Sequence, residues 1–388
     1  MGSRYFLKLI FRNALRQRLR AALTLVGLVI AVMAFGLLQT VVHAWYAGAD
    51  GASVNRLVTR NAISLVFPLP LNYRDKIRQT EGVSAVSYAS WFGGVYITEK
   101  NFFPQFAVEP ISYFSLYPEY RIEESQMREF LHDRHGAVIG RRVADVYGLK
   151  VGDVMPLRGT IYPGTWNFVI RAIYDGAQPS TDTSQFFFHW EYLNETVKKT
   201  IPRRANQIGV YVIGLRDASS GAVVAQRIDR GFENSLAETL TETEKAFQLG
   251  FVSMTEAIVV AIRIVSFLVI FIILAVMANT MAMTARERVA EYATFKALGF
   301  GPRFVMSLIA GESLLLSLLG GAIGIALTYP LAREFGLAMG TLFKSFTVSS
   351  ETIGLQAGIS LLLGVVAAIV PAIRAAQGSI VDGLRHMG

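Results

Sequence analysis

The chain has 388 residues, of which 52% are hydrophobic and only 17% are charged. This composition excludes an ordinary soluble protein and is typical of a membrane protein with room for two or three domains. Cysteine is absent, which excludes disulfides, a thiol nucleophile and a cysteine-ligated zinc. The net charge is +8. Because the basic residues are concentrated at the borders of apolar stretches, we attribute this charge to orientation in a bilayer and predict no nucleic-acid partner.

The N-terminal segment, residues 1–20, contains no acidic residue and carries the bases Arg4, Lys8, Arg12, Arg16, Arg18 and Arg20. Apolar residues fall between these bases at near-helical spacing, which predicts an amphipathic helix on the cytoplasmic surface of the lipid. The first transmembrane helix is predicted at residues 21–45. This apolar stretch is longer than the core of a signal peptide, so we expect an uncleaved anchor with its N-terminus inside.

Residues 46–256 are polar and punctuated by proline and glycine, and the block is large enough to have its own core. We predict an extracytoplasmic α+β domain inserted between transmembrane helices 1 and 2. Residues 136–157 read as strand, helix, Gly-Asp turn and strand, and residues 166–174 alternate as another strand. Residues 218–248 predict a long polar helix that returns the chain to the membrane.

Two aromatic runs stand out in this block, at residues 102–103 and 186–190. They fit either a buried strand or an apolar surface that binds an acyl chain. His132 and His135 have the i, i+3 spacing of half a metal site, but no second cluster of ligands accompanies them. We therefore predict no metal site.

Three further transmembrane helices are predicted at residues 257–283, 304–331 and 353–373. The segments 284–303 and 374–388 are rich in bases, whereas the loop 332–352 balances its two bases, Arg333 and Lys344, with two acids. By the positive-inside rule, the base-rich segments are a cytoplasmic loop and tail, and the balanced loop lies outside. The prediction is a multi-pass protein of the cell (inner) membrane with both termini cytoplasmic.

The cytoplasmic loop predicts a short helix of its own. Its charged residues are Arg286, Glu287, Arg288, Glu291 and Lys296. Its apolar surface comes from Val289, Tyr292, Ala293, Phe295, Ala297 and Leu298, and Gly299 ends the helix. Such a helix is suited to docking in a groove of another protein, although a solvated turn between two spans fits the same pattern.

The third span contains two candidate features. Glu312 is an acid well inside the span, where a charge is costly; it fits either a functional role or a structural pairing with Arg286 or Arg303. Gly320 and Gly324 form a GxxxG motif, which favours close helix packing, either within the chain or with a second copy or another membrane protein. The printed sequence contains no Gly-x-x-x-x-Gly-Lys-Ser/Thr phosphate loop, so we predict no catalytic or cofactor residue and no ATP hydrolysis by this chain.

Three segments, Leu9–Gly27, Arg288–Gly299 and Pro371–Arg385, resemble the FtsX-like permeases. These are the membrane subunits of macrolide-exporter, lipoprotein-release and cell-division type ABC transporters. Residues 136–157 also resemble this family, and by analogy we place a β-rich insertion at about residues 130–183. The family's C-terminal motif has a proline where this chain has Ser379.

The resemblance implies partners and a function. ATP would be bound by a separate cytoplasmic ABC ATPase subunit that docks on the loop, at Arg286, Arg288, Val289, Glu291, Tyr292, Lys296, Ala297, Leu298 and Gly299. A second permease copy or paralogue, membrane lipid and, in export systems, a periplasmic adaptor are the other expected partners. The implied function is mechanotransmission, in which ATP hydrolysis drives export or membrane extraction of a lipophilic molecule, peptide or lipoprotein. The alternative is a signalling subunit that transports nothing and activates a periplasmic or cell-wall partner.

Overall fold

The computed structural model describes residues 3–14, 16–178, 181–253, 255–340, 343 and 346–380. Residues 381–388 of the predicted tail lie outside the described residues, as do Lys344 of the predicted outer loop and residues 1, 2 and 15 of the N-terminal segment.

The α-helices of the described residues are α1 (Ser3–Ala14), α2 (Arg18–Asp50), α3 (Tyr73–Arg78), α4 (Pro110–Leu116), α5 (Glu124–His132), α6 (Arg141–Tyr147), α7 (Trp190–Thr200), α8 (Gly221–Gly231), α9 (Glu244–Ser253), α10 (Glu256–Glu287), α11 (Val289–Ala297), α12 (Pro302–Ala338) and α13 (Ser350–Gln377). The strands are β1 (Arg56–Asn61), β2 (Leu69–Pro70), β3 (Val83–Trp91), β4 (Gly94–Val95), β5 (Gln105–Val108), β6 (Tyr120–Arg121), β7 (Gly136–Gly140), β8 (Val154–Gly159), β9 (Gly164–Gly176), β10 (Phe186–His189), β11 (Gln207–Ile208), β12 (Val210–Leu215) and β13 (Thr239–Thr243).

The chain divides into two compact units. We call residues 1–43, 256–338 and 346–388 the helical unit, and residues 44–255 and 339–345 the sheet unit. Among the described residues, four helices are long and apolar enough to cross a membrane: Arg18–Ala47, Glu256–Glu287, Pro302–Ala338 and Ser350–Gln377. The predicted fold class, four spans with an α+β domain between the first and second, is confirmed.

Small residues bring α12 close to α2. A Cβ atom at Gly320 would lie 2.7 Å from Leu28 Cβ, and one at Gly324 would lie 3.0 Å from Val32 Cβ. The face that carries the GxxxG motif therefore packs against the first span of the same chain.

Buried polar side chains also join the spans. Gln356 Nε2 of α13 donates to the carbonyl of Val32 and to Thr328 Oγ1, both at 2.9 Å. Ser313 Oγ of α12 donates to the carbonyl of Gly364 at 2.7 Å. Since hydrocarbon supplies no hydrogen-bond partner, these contacts satisfy groups that would otherwise be costly, and they set the register of the helices.

In the sheet unit, one mixed sheet has the strand order β13-β1-β12-β3-β5-β10-β7-β9-β8-β4, with β6 paired to β9. The strands of the predicted β-rich insertion, β7, β8 and β9, belong to this same sheet and are not a separate one. The two strands β3 and β4 are separated by only two residues in the chain, yet β4 does not pair with β3. It pairs with β8 and forms the last strand of the sheet order.

Strand β10 lies near the middle of the sheet and is buried on both faces. Phe186 and Phe188 belong to a core with α6, α7 and α8, whereas Phe187 belongs to a second core with α4 and α5. All three phenylalanines are completely buried. Residues 186–189 of the aromatic run are therefore a buried strand, the first of the two alternatives, and Trp190 begins α7. In the other run Phe103 is buried and Phe102 is half exposed.

The predicted long helix at residues 218–248 is wrong. The segment forms a 3-10 turn at Ala218–Ser220, then α8, the strand β13 and the start of α9. Strand β13 pairs antiparallel with β1, and Thr241 Oγ1 lies 2.8 Å from Thr59 Oγ1 across the pair. Pairing with the otherwise open edge of β1, together with the β-branched threonines, favours a strand here more strongly than the polar pattern of the segment favours a helix.

A buried ion cluster lies near the place where the chain enters and leaves the sheet unit. Arg56 Nε of β1 donates to Glu244 Oε2 at 2.8 Å, and Arg56 Nη2 donates to Glu119 Oε1 at 2.5 Å. The guanidinium also lies 4.1 Å from the ring centre of Tyr117. Glu244 accepts from the backbone N–H of Ser53 at 2.9 Å as well, so it joins the segment that follows α2 to the start of α9.

Replacing Arg56 with alanine would leave two carboxylates without their cation, and Glu244 among them is buried. We expect Arg56→Ala to lower the stability of the sheet unit by about 3–5 kcal/mol. Thermal unfolding followed by tryptophan fluorescence measures this, because all four tryptophans of the chain lie in the sheet unit. The control is Arg141→Ala, which removes an exposed pair with Asp175 and should cost no more than about 1 kcal/mol. Equal effects of the two variants would contradict the assignment.

A methyl group at position 320 tests the helix packing. Gly320→Ala forces α12 and α2 apart, and overpacking of this kind costs about 1–3 kcal/mol. Gly358→Ala in α13 is the matched control, because a Cβ atom there meets nothing within 4 Å. We expect the detergent-solubilised protein with Gly320→Ala to aggregate at a lower temperature than wild type in a size-exclusion assay, and the control to match wild type.

Candidate functional site

The loop between the second and third spans contains the helix α11. Helix α10 ends at Glu287, Arg288 leaves helical geometry with φ −107° and ψ 18°, and α11 then begins at Val289. Its C-terminus is a Schellman motif: Phe300 N–H donates to the Phe295 carbonyl and Gly299 N–H donates to the Lys296 carbonyl, both at 3.0 Å. Gly299 has φ +89°, which favours glycine, as its predicted role at the helix end requires.

The side chains of α11 divide between the interior and the surface. Tyr292 and Ala293 are both buried, so they are not available to another protein. Tyr292 belongs to a core that includes residues of α1, α10, α12 and α13. Leu298 is 71% exposed and Val289 is 37% exposed, and Arg286, Ala297 and Gly299 also lie on the surface. The predicted apolar surface is therefore narrower than the sequence pattern indicates.

Arg288 lies at the centre of the interior side. Its Nη1 donates to Glu312 Oε1 of α12 at 2.7 Å, and its Nε donates to Glu291 Oε2 at 2.9 Å. The guanidinium also lies 5.4 Å from the ring centre of Tyr292. The predicted pairing of Glu312 with Arg286 or Arg303 is wrong, because the break after Glu287 turns Arg288 inward while Arg286 stays exposed.

The surroundings favour the charged forms of Arg288 and Glu291. Burial opposes the charge of Arg288, but Tyr292, Glu312 and Glu291 outweigh it, and the pKa of Arg288 is raised. Burial likewise opposes the charge of Glu291, yet hydrogen bonds from Arg288 and Arg16 dominate and lower its pKa. Burial raises the pKa of the Tyr292 hydroxyl. At neutral pH Arg288 and Glu291 therefore both carry their charges.

The junction between α1 and α2 completes the cluster. Arg16 forms an ion pair with Glu291, while Arg20 donates two hydrogen bonds to Glu287 at 2.7 and 3.0 Å. Gln17 Nε2 adds a third to Glu287 at 2.7 Å. Together with Arg288 and Glu312, these side chains line a cavity of about 150 Å³. The roles of Arg16, Gln17 and Arg20 were not predicted, because no pattern in the sequence links residues so far apart in the chain.

Lys296 binds the end of the last span. Its Nζ donates to the carbonyls of Ala375 and Ala376 at 2.9 Å and of Gly378 at 2.8 Å. These carbonyls belong to the last turn of α13 and the residue that follows it, where no intrahelical N–H is available and the helix dipole is negative. A lysine of the loop helix therefore caps the C-terminus of α13, a structural role beside the predicted one.

Comparison with known proteins identifies the family. The MacB-like periplasmic core domain matches residues 21–230, more than half of the chain, and the FtsX-like permease C-terminal domain matches residues 263–380. The chain belongs to the FtsX-like, MacB-type ABC transporter permeases. The predicted family is thus confirmed, and with it a multi-pass membrane protein. Membership implies a partner ATPase subunit.

Relatives agree with this assignment. An uncharacterized ABC transporter permease of Methanocaldococcus jannaschii is 25% identical over 97% of this chain and 96% of its own length. The macrolide export ATP-binding/permease protein MacB of Chromobacterium violaceum is 28% identical over 44% of this chain, and the match spans only 25% of that longer protein. The crystal structure of the periplasmic region of MacB from Actinobacillus actinomycetemcomitans aligns with 52% of this permease and 94% of that chain, with 8% identity and a TM-score of 0.37.

Removing the Lys296 ammonium group should loosen the end of α13. We expect Lys296→Met to lose the cap and to increase hydrogen exchange of the last turn of α13 several-fold, as a loss of about 0.5–1 kcal/mol implies. Exchange measured by mass spectrometry on the full chain in detergent checks this. Arg303→Met, which removes an exposed base from the start of α12, is the control and should leave that turn unchanged.

Proposed function

We propose that this permease couples ATP hydrolysis by a separate cytoplasmic ATPase subunit to movement of its external domain. The work done is export, or extraction from the membrane, of a lipophilic molecule, peptide or lipoprotein. The observation that carries the proposal is the placement of α11. It is bonded to α12 through Glu312 and to the end of α13 through Lys296, yet it exposes Leu298 and Val289 to a partner.

The exposed residues of the loop form the proposed docking surface. They are Arg286 at the end of α10, Val289 at the start of α11, and Ala297, Leu298 and Gly299 at its C-terminal end, with the half-buried Glu291 beside them. An exposed leucine beside a glycine turn fits an apolar groove, and the neighbouring charges would fix the orientation of the helix in it. Arg288, Tyr292 and Lys296 face inward and would act by holding α11 in place.

The proposed orientation follows from charge. The loop 284–303, the surface helix at residues 1–20 and the tail 374–388 are cytoplasmic, and the domain at residues 46–256 is outside. With this orientation, α2 and α10 would carry movement across the bilayer. Each continues directly into the external domain, since β1 begins shortly after α2 ends and α9 precedes α10.

Transport is favoured over the alternative of a signalling subunit that transports nothing. Among the relatives, the named activity is macrolide export, in the MacB proteins, and the external block matches the core domain of that branch. A second copy or paralogue of the permease and a periplasmic adaptor are the further partners we propose. No nucleotide or metal is proposed for this chain, because ATP would be bound by the partner subunit.

Docking is tested by a charge on the exposed side of α11. Leu298→Asp should abolish or strongly weaken capture of the ATPase that co-purifies with the wild-type permease in nanodiscs, because an aspartate does not fit an apolar groove. The matched control is Leu236→Asp, which places the same charge on a fully exposed leucine of the sheet unit. The measurement is the amount of ATPase retained and its ATP turnover. Unchanged capture by Leu298→Asp, or failure of wild type to bind any ATPase, would refute the proposal.

A further inference from the structure

We infer that Arg288 is a positioning residue that transmits movement of α11 to the first and third spans through a connected set of ion pairs. The inference rests on the proposed function, since it assumes that the ATPase acts on α11. It adds the route by which a movement of α11 would be passed to the membrane spans.

The ion pairs join four helices at one place. Arg288, between α10 and α11, pairs with Glu312 of α12, and Arg16, just before α2, pairs with Glu291 of α11. In addition, Arg20 of α2 pairs with Glu287 at the end of α10. These three arginines and three glutamates line the same cavity. A displacement of α11 therefore acts on charged partners in α12 and at the junction just before α2.

The pairs differ in burial, and this difference assigns their roles. The side chains of Arg288 and Glu312 are 9% and 3% exposed, whereas those of Arg16 and Glu291 are 62% and 35% exposed. Breaking a buried pair leaves an uncompensated charge, which is strongly unfavourable, while an exposed pair separates at little cost. Arg288–Glu312 is thus the rigid link between α11 and α12, and Glu291–Arg16 is a soft link to α2.

Glu291 connects the two links. It accepts from Arg288 and pairs with Arg16, so its carboxylate is shared by both cations. The cavity beside it, about 150 Å³, has room for several water molecules. Glu291 is thus held by both cations at once, one at each carboxylate oxygen, so a displacement of α11 reaches both links through a single carboxylate.

The guanidinium shape is essential to this role. One planar fork reaches Glu312 through Nη1 and Glu291 through Nε. Lysine has the same charge but a single ammonium group, so it cannot reproduce this geometry. Arg288→Lys is therefore the informative variant: it keeps a cation beside Glu312, and hence the fold, while it loosens the link to Glu291.

The test uses the permease with its co-purifying ATPase in nanodiscs. Because the chain contains no cysteine, spin labels can be attached at Leu23→Cys in α2 and Thr294→Cys in α11 without further changes. With Arg288 present, we expect one narrow distance between the labels, with and without ATP. With Arg288→Lys, we expect the same narrow distance without ATP and a broad one with ATP, together with a loss of permease-dependent ATP turnover of about fivefold or more.

Arg303→Lys is the conservative control and should behave as wild type in both measurements. The pair itself is tested by Arg288→Glu with Glu312→Arg: the double variant should recover turnover that either single reversal loses. The outcomes distinguish failure of the inference about Arg288 from failure of the proposed function. The inference is wrong, while the proposed docking stands, if the ATPase binds and the Arg288→Lys variant keeps wild-type ATP turnover. The same conclusion follows if the distance between the labels in that variant is already broad without ATP. If wild type binds no ATPase, the proposed function fails and the inference fails with it.

Discussion

The buried pair between Arg288 and Glu312 is the interaction on which the loop end of the helical unit depends. A carboxylate inside a membrane span requires a partner, and the nearest cation must come from outside the apolar stretch. Helix α10 therefore ends where Arg288 can turn inward. That break sets the start of α11, and with it which side of the loop helix is buried and which is exposed.

The membrane part of the fold was predictable because its cause is local. Twenty or more consecutive apolar residues can be satisfied only by a helix across the bilayer, and the charges beside them orient it. The partner of Glu312 was not predictable in the same way. Arg286, Arg288 and Arg303 are equally suitable by spacing, and only the position of the helix break decides among them. The same holds for Arg16 and Arg20, whose partners lie more than 260 residues away.

The sheet unit shows where local pattern misleads. Residues 136–157 follow the predicted order of strand, helix, turn and strand, since each element has its own signal in the sequence. Strand β13 has no such signal: its polar residues suit a solvated helix, and its pairing with β1 is a property of the sheet edge. The completely buried β10 is recognisable only by its aromatic composition, because a strand with cores on both faces lacks alternation.

The two sides of α11 are under different constraints. The inward residues Arg288, Tyr292 and Lys296 must match α12 and α13 of the same chain, so a change at one of them requires a change within this protein. Under the proposed function, the exposed residues Val289 and Leu298 would need only to match the groove of a partner. A permease could therefore adapt to a different ATPase by changing its exposed residues while its internal link stayed the same. Separating the proposed docking from the proposed transmission in this way would let one short helix serve as both a binding surface and a rigid part of the membrane bundle.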